Sequence, residues 1–168
     1  MKILPVCEAD LPEILAVQKA AFAAEAQLVN DWNIPPLTQT LDELAGDWRK
    51  GIMLKAVTGQ HGLVGTVRGH EAQDGFYIGR LAVLPQWQGR GCGSALLEAI
   101  IEQAQNRAQN RARSLTCADR LVLFTSTKSE RNLRLYERFG FRPFKTDTTA
   151  TGVALVWMEC NKTSSEQT

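Results

Sequence analysis

The sequence lacks any long apolar run, and this absence argues against a helical membrane span. Such a helix needs about 20 consecutive apolar residues, whereas charged residues interrupt every stretch of that length here. The first residues do not resemble a signal peptide either, because Pro5, Glu8 and Asp10 occur without a long apolar segment. We therefore expect a cytoplasmic protein that does not contact membranes.

Clustered metal-ligating residues are also missing. The four cysteines, Cys7, Cys92, Cys117 and Cys160, are far apart, and the chain has only two histidines. A zinc site needs ligands that lie close together, and a disulfide framework is typical of shorter secreted chains. We expect reduced thiols and no metal cofactor.

The chain has no surplus of basic residues. Its 19 Lys and Arg face 18 Asp and Glu, which gives a formal net charge of +1. Nucleic-acid-binding proteins usually show a clear basic excess, so we expect no nucleic-acid partner. A length of 168 residues with 44% hydrophobic residues suits one globular domain. We expect this domain at 1–160 and a polar C-terminal tail at 161–168.

What the sequence does contain is an ordered succession of strand and helix patterns. Apolar runs between turn residues predict strands at 3–7, 52–58, 63–71, 76–84, 121–125, 141–146 and 152–158. Helices are predicted after the cap residue Asp10, between Thr40 and Gly51, after Gly93, and at 130–139. Short turns join the three strands between 52 and 84 into an antiparallel meander.

The segment 30–40 separates the first two helices. It contains the pair Pro35-Pro36, which predicts irregular chain because proline fixes φ and removes a hydrogen-bond donor. Loops on a rigid scaffold commonly carry specificity. We therefore expect the part of this loop at 32–39 to shape a binding pocket.

The most distinctive motif is a glycine-rich turn, Gln88-Gly89-Arg90-Gly91-Cys92-Gly93, between a predicted strand and an amphipathic helix. Backbone N–H groups of glycines approach an anion closely, and a helix N-terminus adds partial positive charge. Arg90 can add a charge-assisted hydrogen bond to a phosphate. The P-loop ending Gly-Lys-Ser/Thr is absent, and Ser94 stands where a dinucleotide fingerprint needs its third glycine. By itself the motif indicates either a phosphate site or a plain tight turn.

Two motifs together resemble the signatures of the GNAT superfamily of N-acetyltransferases. The first is Leu81-Ala82-Val83-x-Pro85 followed by Gln88-x-x-Gly91-x-Gly93, with Trp87 just before the turn. The second is the segment 132–141, in which Leu-Tyr is followed shortly by Gly-Phe. The predicted order of elements also resembles the whole GNAT fold. This resemblance implies an α/β fold with a mixed, mostly antiparallel sheet of six to seven strands and about four flanking helices.

The resemblance further implies that acetyl-CoA is the acyl donor, without a metal, and that its acetyl group passes directly to a primary amine of a small molecule or a peptide. In this family, free backbone groups of a splayed strand hold the pantetheine arm; the matching residues are Leu81, Ala82 and Val83. The pyrophosphate would be held at the turn by the backbone amides of Gly89, Arg90, Gly91, Cys92, Gly93 and Ser94, and Gln88 is a further cofactor-binding residue of the motif. Terminal strands in this family often meet partners, which allows a homodimer.

The same resemblance places Tyr136 near the sulfur, where a phenol would protonate the departing thiolate. Helical spacing alone groups Tyr136 with Leu133 and Phe139, so a core aromatic is the alternative. Many family members have a pantetheine-binding Asn where this sequence has Ser129, and Asn132 is the substitute nearby.

The sequence leaves three questions open. The general base that deprotonates the ammonium has five candidates by element position: Glu25, Asp31, His70, Glu71 and Tyr77. The basic residues Arg107, Arg111 and Arg113 either reach the 3′-phosphate of the nucleotide or form a solvated helix end. The alternative function is a non-catalytic acyl-CoA sensor or assembly module. Tyr136 favours an enzyme, because a sensor needs no acid beside the sulfur.

Overall fold

The computed structural model describes residues 1–110 and 119–161, and the side chains of 108–110 are left out of the description. The strands are β1 (Lys2–Pro5), β2 (Ile52–Thr58), β3 (Gly62–Ala72), β4 (Gly75–Val83), β5 (Arg120–Ser126), β6 (Arg142–Thr148) and β7 (Ala154–Asn161). The helices are α1 (Leu11–Val29), α2 (Pro35–Thr38), α3 (Leu41–Lys50), α4 (Cys92–Asn110) and α5 (Glu130–Arg138).

The seven strands form one mixed sheet in the order β1-β2-β3-β4-β5-β7-β6. The β4–β5 pair is parallel, and the other neighbours in the sheet are antiparallel. The parallel pair follows from the crossover through α4, since a parallel connection needs a long segment, usually a helix. The predicted α/β fold with a mostly antiparallel sheet is confirmed.

Local sequence signals explain where the first helices begin and end. The hydroxyl of Thr40 accepts from the N–H of Glu43 and the carboxylate of Glu43 accepts from the N–H of Thr40, so a capping box starts α3. The carboxylate of Asp10 makes no side-chain cap on α1. It accepts instead from the N–H of Cys7 at 2.8 Å and from Lys55 at 2.5 Å. The prediction that Asp10 caps α1 with its side chain was therefore wrong.

The paired prolines do not exclude helix, contrary to the sequence-based expectation. Pro35 and Pro36 occupy the first positions of the short helix α2. N–H groups in the first turn of a helix have no partner within the helix, so their absence costs little there. The segment 30–40 therefore contains one helical turn.

Two apolar clusters cover the two faces of the sheet. One packs α4 against the central strands, with Leu96, Leu97 and Ile100 fully buried. The other packs α1 and α3 against β2 and β3, with Ile14 and Leu44 buried. None of the helices in the described residues is long and apolar enough to cross a membrane. In the expected C-terminal tail, Asn161 is the last residue of β7 and 162–168 lie outside the described residues.

Candidate active site

The sheet opens between β4 and β5. These strands pair only at Phe76 with Leu121 and at Tyr77 with Val122, although both continue for several residues. Beyond Tyr77, the edge of β4 that faces β5 has no strand partner in the described residues. The predicted pantetheine segment, Leu81, Ala82 and Val83, lies in this unpaired half of β4.

A β-bulge accompanies this opening. Arg68 pairs with Gly79 and Thr66 pairs with Ala82, so two residues of β4, Arg80 and Leu81, oppose the single residue 67 of β3. Arg80 has a φ of 51°, in the left-handed region that non-glycine residues rarely adopt. A bulge bends its strand and increases the local twist. This bend is the local cause to which we attribute the divergence of β4 from β5.

The glycine-rich turn follows β4 at this opening. Gly89 and Gly91 have φ values of 75° and 81°, so both need the freedom of glycine. Helix α4 begins at Cys92, and the first N–H groups of a helix have no partner inside it. The turn therefore presents free backbone donors and the positive end of a helix dipole, which together suit an anion.

Helix α5 lies beside the same turn. A Cβ at Gly93 would be 3.6 Å from Leu135 of α5 and 3.9 Å from Val83. Nη1 of Arg131, also on α5, donates to Oε1 of Gln88 at 2.6 Å, and Nε2 of Gln88 donates to the carbonyl of Val83 at 3.0 Å. Arg131 thus brings a positive charge to the predicted phosphate site. No local sequence pattern points to Arg131, because only the fold brings α5 to the turn.

The other predicted turn residues have distinct surroundings. The Arg90 guanidinium lies 5.1 Å from the centre of the Trp87 ring, at the exposed end of the turn. The Cys92 side chain is buried, and burial raises the pKa of its thiol. Ser94 is half-buried. Cys92 therefore contributes its backbone to the turn, not a reactive thiolate.

Tyr136 lies on α5 with 6% of its surface exposed. Its ring meets Phe141 edge to face at 6.2 Å. Burial raises the pKa of the Tyr136 phenol far above its usual value of 10, and the negative charge of Glu25 raises the pKa further. The phenol is therefore protonated throughout the physiological pH range, which is the state that a proton donor requires.

Among the five base candidates, Glu25 is the one whose charge changes the pKa of Tyr136 in the described part of the chain. Its carboxylate, on α1, accepts a short hydrogen bond from the hydroxyl of Ser129. Asn132 donates to the hydroxyl of Thr125 at 3.3 Å. Ser129 and Asn132 are the two positions considered above for the pantetheine contact. Both side chains thus make hydrogen bonds within the protein.

The remaining base candidates have other surroundings. His70 stacks on Tyr77 at 5.8 Å, and the Tyr77 hydroxyl bonds to Asp74 at 3.1 Å. Asp31 is partly exposed and accepts from the Thr151 hydroxyl at 2.6 Å. That hydrogen bond and a second one from the N–H of residue 33 lower the pKa of Asp31. Glu71 is exposed at the far end of β3.

The basic residues near the end of α4 lie far from the turn. Arg107 is exposed and is 15 residues beyond the start of the helix at Cys92, about 20 Å at 1.5 Å per residue. Arg111 and Arg113 lie outside the described residues. Within those residues, no group of three His, Cys, Asp or Glu side chains is placed to hold a metal ion.

Comparison with known proteins gives a family match. A family model described as an acetyltransferase (GNAT) domain matches residues 50–143, which contain the splayed strand, the glycine turn and Tyr136. A search of curated proteins found no match.

Solved structures share the fold at low sequence identity. The ribosomal-protein-S18-alanine N-acetyltransferase from Escherichia coli is 18% identical with a TM-score of 0.75, over 99% of this chain and 96% of that one. The ribosomal-protein-alanine N-acetyltransferase from Brucella melitensis is 21% identical with a TM-score of 0.72, over 96% and 99%. The protein yncA from Salmonella typhimurium, solved with its cofactor acetyl-CoA, is 16% identical with a TM-score of 0.71, over 100% and 97%. At these identities the likeness shows the fold.

Proposed function

Because the chain belongs to the GNAT acetyltransferase family, we propose that it transfers acetyl from acetyl-CoA to a primary amine of a small molecule or a peptide, with Tyr136 as general acid. One observation carries the proposal. A buried phenol, which is protonated at neutral pH, lies on the helix that flanks the opened strands and the glycine turn. A proton donor is needed at the place where a thiolate leaves.

Each part of the donor has residues that suit it. The pyrophosphate would bind the backbone N–H groups between Gly89 and Ser94, with Arg131 as an added positive charge. The pantetheine arm would pair with the free edge of β4 at Leu81, Ala82 and Val83, as an extra strand would. An N–H group near Val83 would face the thioester oxygen, where negative charge grows during attack.

The reaction then needs three proton transfers. Glu25 takes one proton from the ammonium, directly or through a water molecule, and later releases it to solvent, while the free amine attacks the thioester carbonyl. A C–N bond forms, the C–S bond breaks, and Tyr136 donates its proton to the leaving thiolate. The nitrogen is positively charged once the C–N bond has formed, and it loses its second proton through water, which restores the phenol of Tyr136. Glu25 suits the role of base because its carboxylate is close enough to Tyr136 to raise the pKa of the phenol.

We also propose a reducing compartment, the cytoplasm, for this protein. Cys7, Cys92 and Cys160 are free thiols, which suits such a compartment. A homodimer is proposed through β6, because this edge strand has all seven residues exposed and unpaired strand edges readily take a partner.

The test compares the two tyrosines of the chain. Tyr136→Phe should lower kcat for amine acetylation by about 10²- to 10⁴-fold, the usual contribution of a general acid. The affinity for acetyl-CoA, measured by calorimetry, should change little, because the backbone makes most of the proposed contacts. Tyr77→Phe is the matched control, since its hydroxyl bonds to Asp74 away from the opening. Acetyl-CoA binding without turnover on any amine would support a sensor instead, and unchanged turnover in Tyr136→Phe would exclude the acid role.

A further inference from the structure

A network of polar side chains lies between the sheet and helices α1 and α3. The guanidinium of Arg68 on β3 pairs with the carboxylate of Asp47 on α3 at 3.1 Å and donates to Oε1 of Gln39 at 3.1 Å. Nε2 of Gln39 in turn donates to Asp47 at 2.7 Å. The buried Gln18 of α1 donates to Oε1 of Gln39 at 3.0 Å and to the carbonyl of Pro36 at 2.9 Å. These four side chains satisfy one another.

Arg80, at the bulge of β4, adds a second cation to this network. The only charges that act on it in the described residues are Arg68, which lowers its pKa, and Asp47, which raises it. Burial is the largest cause, and together these effects lower the pKa of Arg80 to about 10. The carboxylate of Asp47 thus pairs with Arg68 and acts on Arg80 through its charge, and 45% of the Asp47 side chain is exposed to screening solvent.

The Arg80 side chain also has an unsatisfied donor. Its Nε is buried, and no hydrogen-bond acceptor is within reach in the described part of the chain. An unpaired buried donor is costly, and more so when it carries charge. The backbone of Arg80 is strained as well, with a φ of 51°. The bulge does not require arginine, because glycine or asparagine adopts this φ more easily.

Strain and uncompensated charge at one residue are typical of a site whose partner is a ligand. Arg80 directly precedes Leu81, in the segment proposed to hold the thioester arm. As a whole residue Arg80 is partly exposed. The network whose charges act on it includes Gln39 and the carbonyl of Pro36, which belong to the 30–40 segment.

We propose that Arg80 binds a carboxylate of the acceptor, so that the acceptor is a small amine with a carboxylate close to its reactive nitrogen. This inference rests on the proposed function and specifies its substrate class. The network has one positive charge in excess, which a monoanion neutralises. The planar guanidinium presents paired donors that match the two oxygens of a carboxylate.

The experiment uses matched acceptors. L-Alanine, L-lysine and L-phenylalanine are each compared with the corresponding amino-acid amide, which retains the amine and loses the charge. For each pair, the ratio of kcat/KM for the carboxylate to kcat/KM for the amide should be at least about 10-fold higher in the wild-type protein than in Arg80→Gln, as one charged hydrogen bond allows. Arg80→Lys should give an intermediate ratio. Comparing ratios between variants cancels the different intrinsic reactivity of the amines.

Arg134→Gln is the control, because this exposed arginine pairs with Glu130 on the same helix. Thermal unfolding distinguishes binding from a structural role. Loss of an unpaired charge should leave the Tm of Arg80→Gln equal to or above that of the wild type. An acceptor ratio that is the same in the wild type and in Arg80→Gln would overturn the inference, and a lower Tm of that variant would then indicate a structural role.

The two proposals fail separately. Acetylation of amines with the same carboxylate-to-amide ratio in the wild type and in Arg80→Gln overturns the role of Arg80 and leaves the proposed function intact. If no amine is acetylated, N-acetyl-L-alanine and its amide are titrated into the protein loaded with coenzyme A, or into the free protein when coenzyme A does not bind. Preferential binding of the carboxylate that is lost in Arg80→Gln supports the inference even then, and equal or absent binding of both ligands overturns it.

Discussion

The hydroxyl of Ser129, just before α5, donates a hydrogen bond to the carboxylate of Glu25 in α1. This contact connects α1 to the start of α5, and the two residues are 104 positions apart in sequence. The same carboxylate raises the pKa of Tyr136. Glu25 therefore couples Ser129 to Tyr136. A change at Glu25 should alter both the hydrogen bond of Ser129 and the pKa of Tyr136.

Glu25→Gln tests this coupling. The amide keeps an acceptor for Ser129 but removes the base, so kcat/KM for an amine should fall by about 10²-fold at neutral pH. The deficit should shrink at a pH above the pKa of the acceptor amine, where the amine needs no base. A pH–rate profile measures both effects. Glu102→Gln, on an exposed position of α4, is the control, and a deficit that stays constant with pH would argue against Glu25 as base.

Tyr136 should also make stability depend on alkaline pH. Burial raises the pKa of the phenol above 10 in the folded protein, whereas in the unfolded chain it ionises near 10. Below pH 10 both states are neutral, so this stabilisation is fully present. It is lost as the pH rises above 10, because only the unfolded state then gains from ionisation.

The measurement is urea unfolding between pH 8.5 and 11. The free energy of unfolding of the wild type should fall faster above pH 10 than that of Tyr136→Phe, by up to about 1.4 kcal/mol per pH unit. Parallel curves for wild type and Tyr136→Phe up to pH 11 would mean that water reaches the phenol.

Local signals determined most of the predicted elements. Thr40 and Glu43 form the capping box that starts α3, and the apolar run 52–58 is strand β2 as predicted. Such elements depend on neighbours in sequence, so their residues suffice to predict them. The turn at Gly89 and Gly91 likewise has the positive φ values that only glycine adopts freely.

Features that depend on distant contacts were missed. The sequence suggested that Pro35 and Pro36 exclude a helix. They can occupy the first turn of one, however, and whether they do depends on where the helix begins. Glu25 remained one of five base candidates, because its contact with Ser129 exists only after α1 and α5 pack. No sequence pattern pointed to Arg80 as a ligand-binding residue. Its charge is unfavourable because the folded protein buries it and because the charge of Arg68 acts on it.

Arg131 should contribute to binding the phosphates of coenzyme A. Its Nη2 is 3.6 Å from the position of a Cβ at Gly89. Arg131→Gln should weaken coenzyme A binding by about 3- to 10-fold, as expected for an exposed charged contact, and should reduce its salt dependence. S-acetylpantetheine, which lacks the phosphates, should bind both proteins equally in calorimetry. Arg134→Gln is the matched control on the same helix, and equal weakening for both ligands would indicate a structural role.

Gly91 tests whether the turn geometry itself holds the cofactor. A Cβ at this position would meet nothing within 4 Å, so its φ of 81° is the only obstacle to alanine. Gly91→Ala should therefore cost about 1–2 kcal/mol of folding stability and weaken coenzyme A binding, because relief of the strain turns the N–H groups away from the phosphate. Gly46→Ala, on α3 with equally open space, should be neutral or stabilise by up to about 1 kcal/mol. Urea unfolding measures the stability of the two variants, and calorimetry measures their affinity for coenzyme A. Because an added Cβ has open space at both positions, a difference between the variants reports the backbone conformation and not a steric clash. Unchanged affinity in Gly91→Ala would place the diphosphate outside the turn.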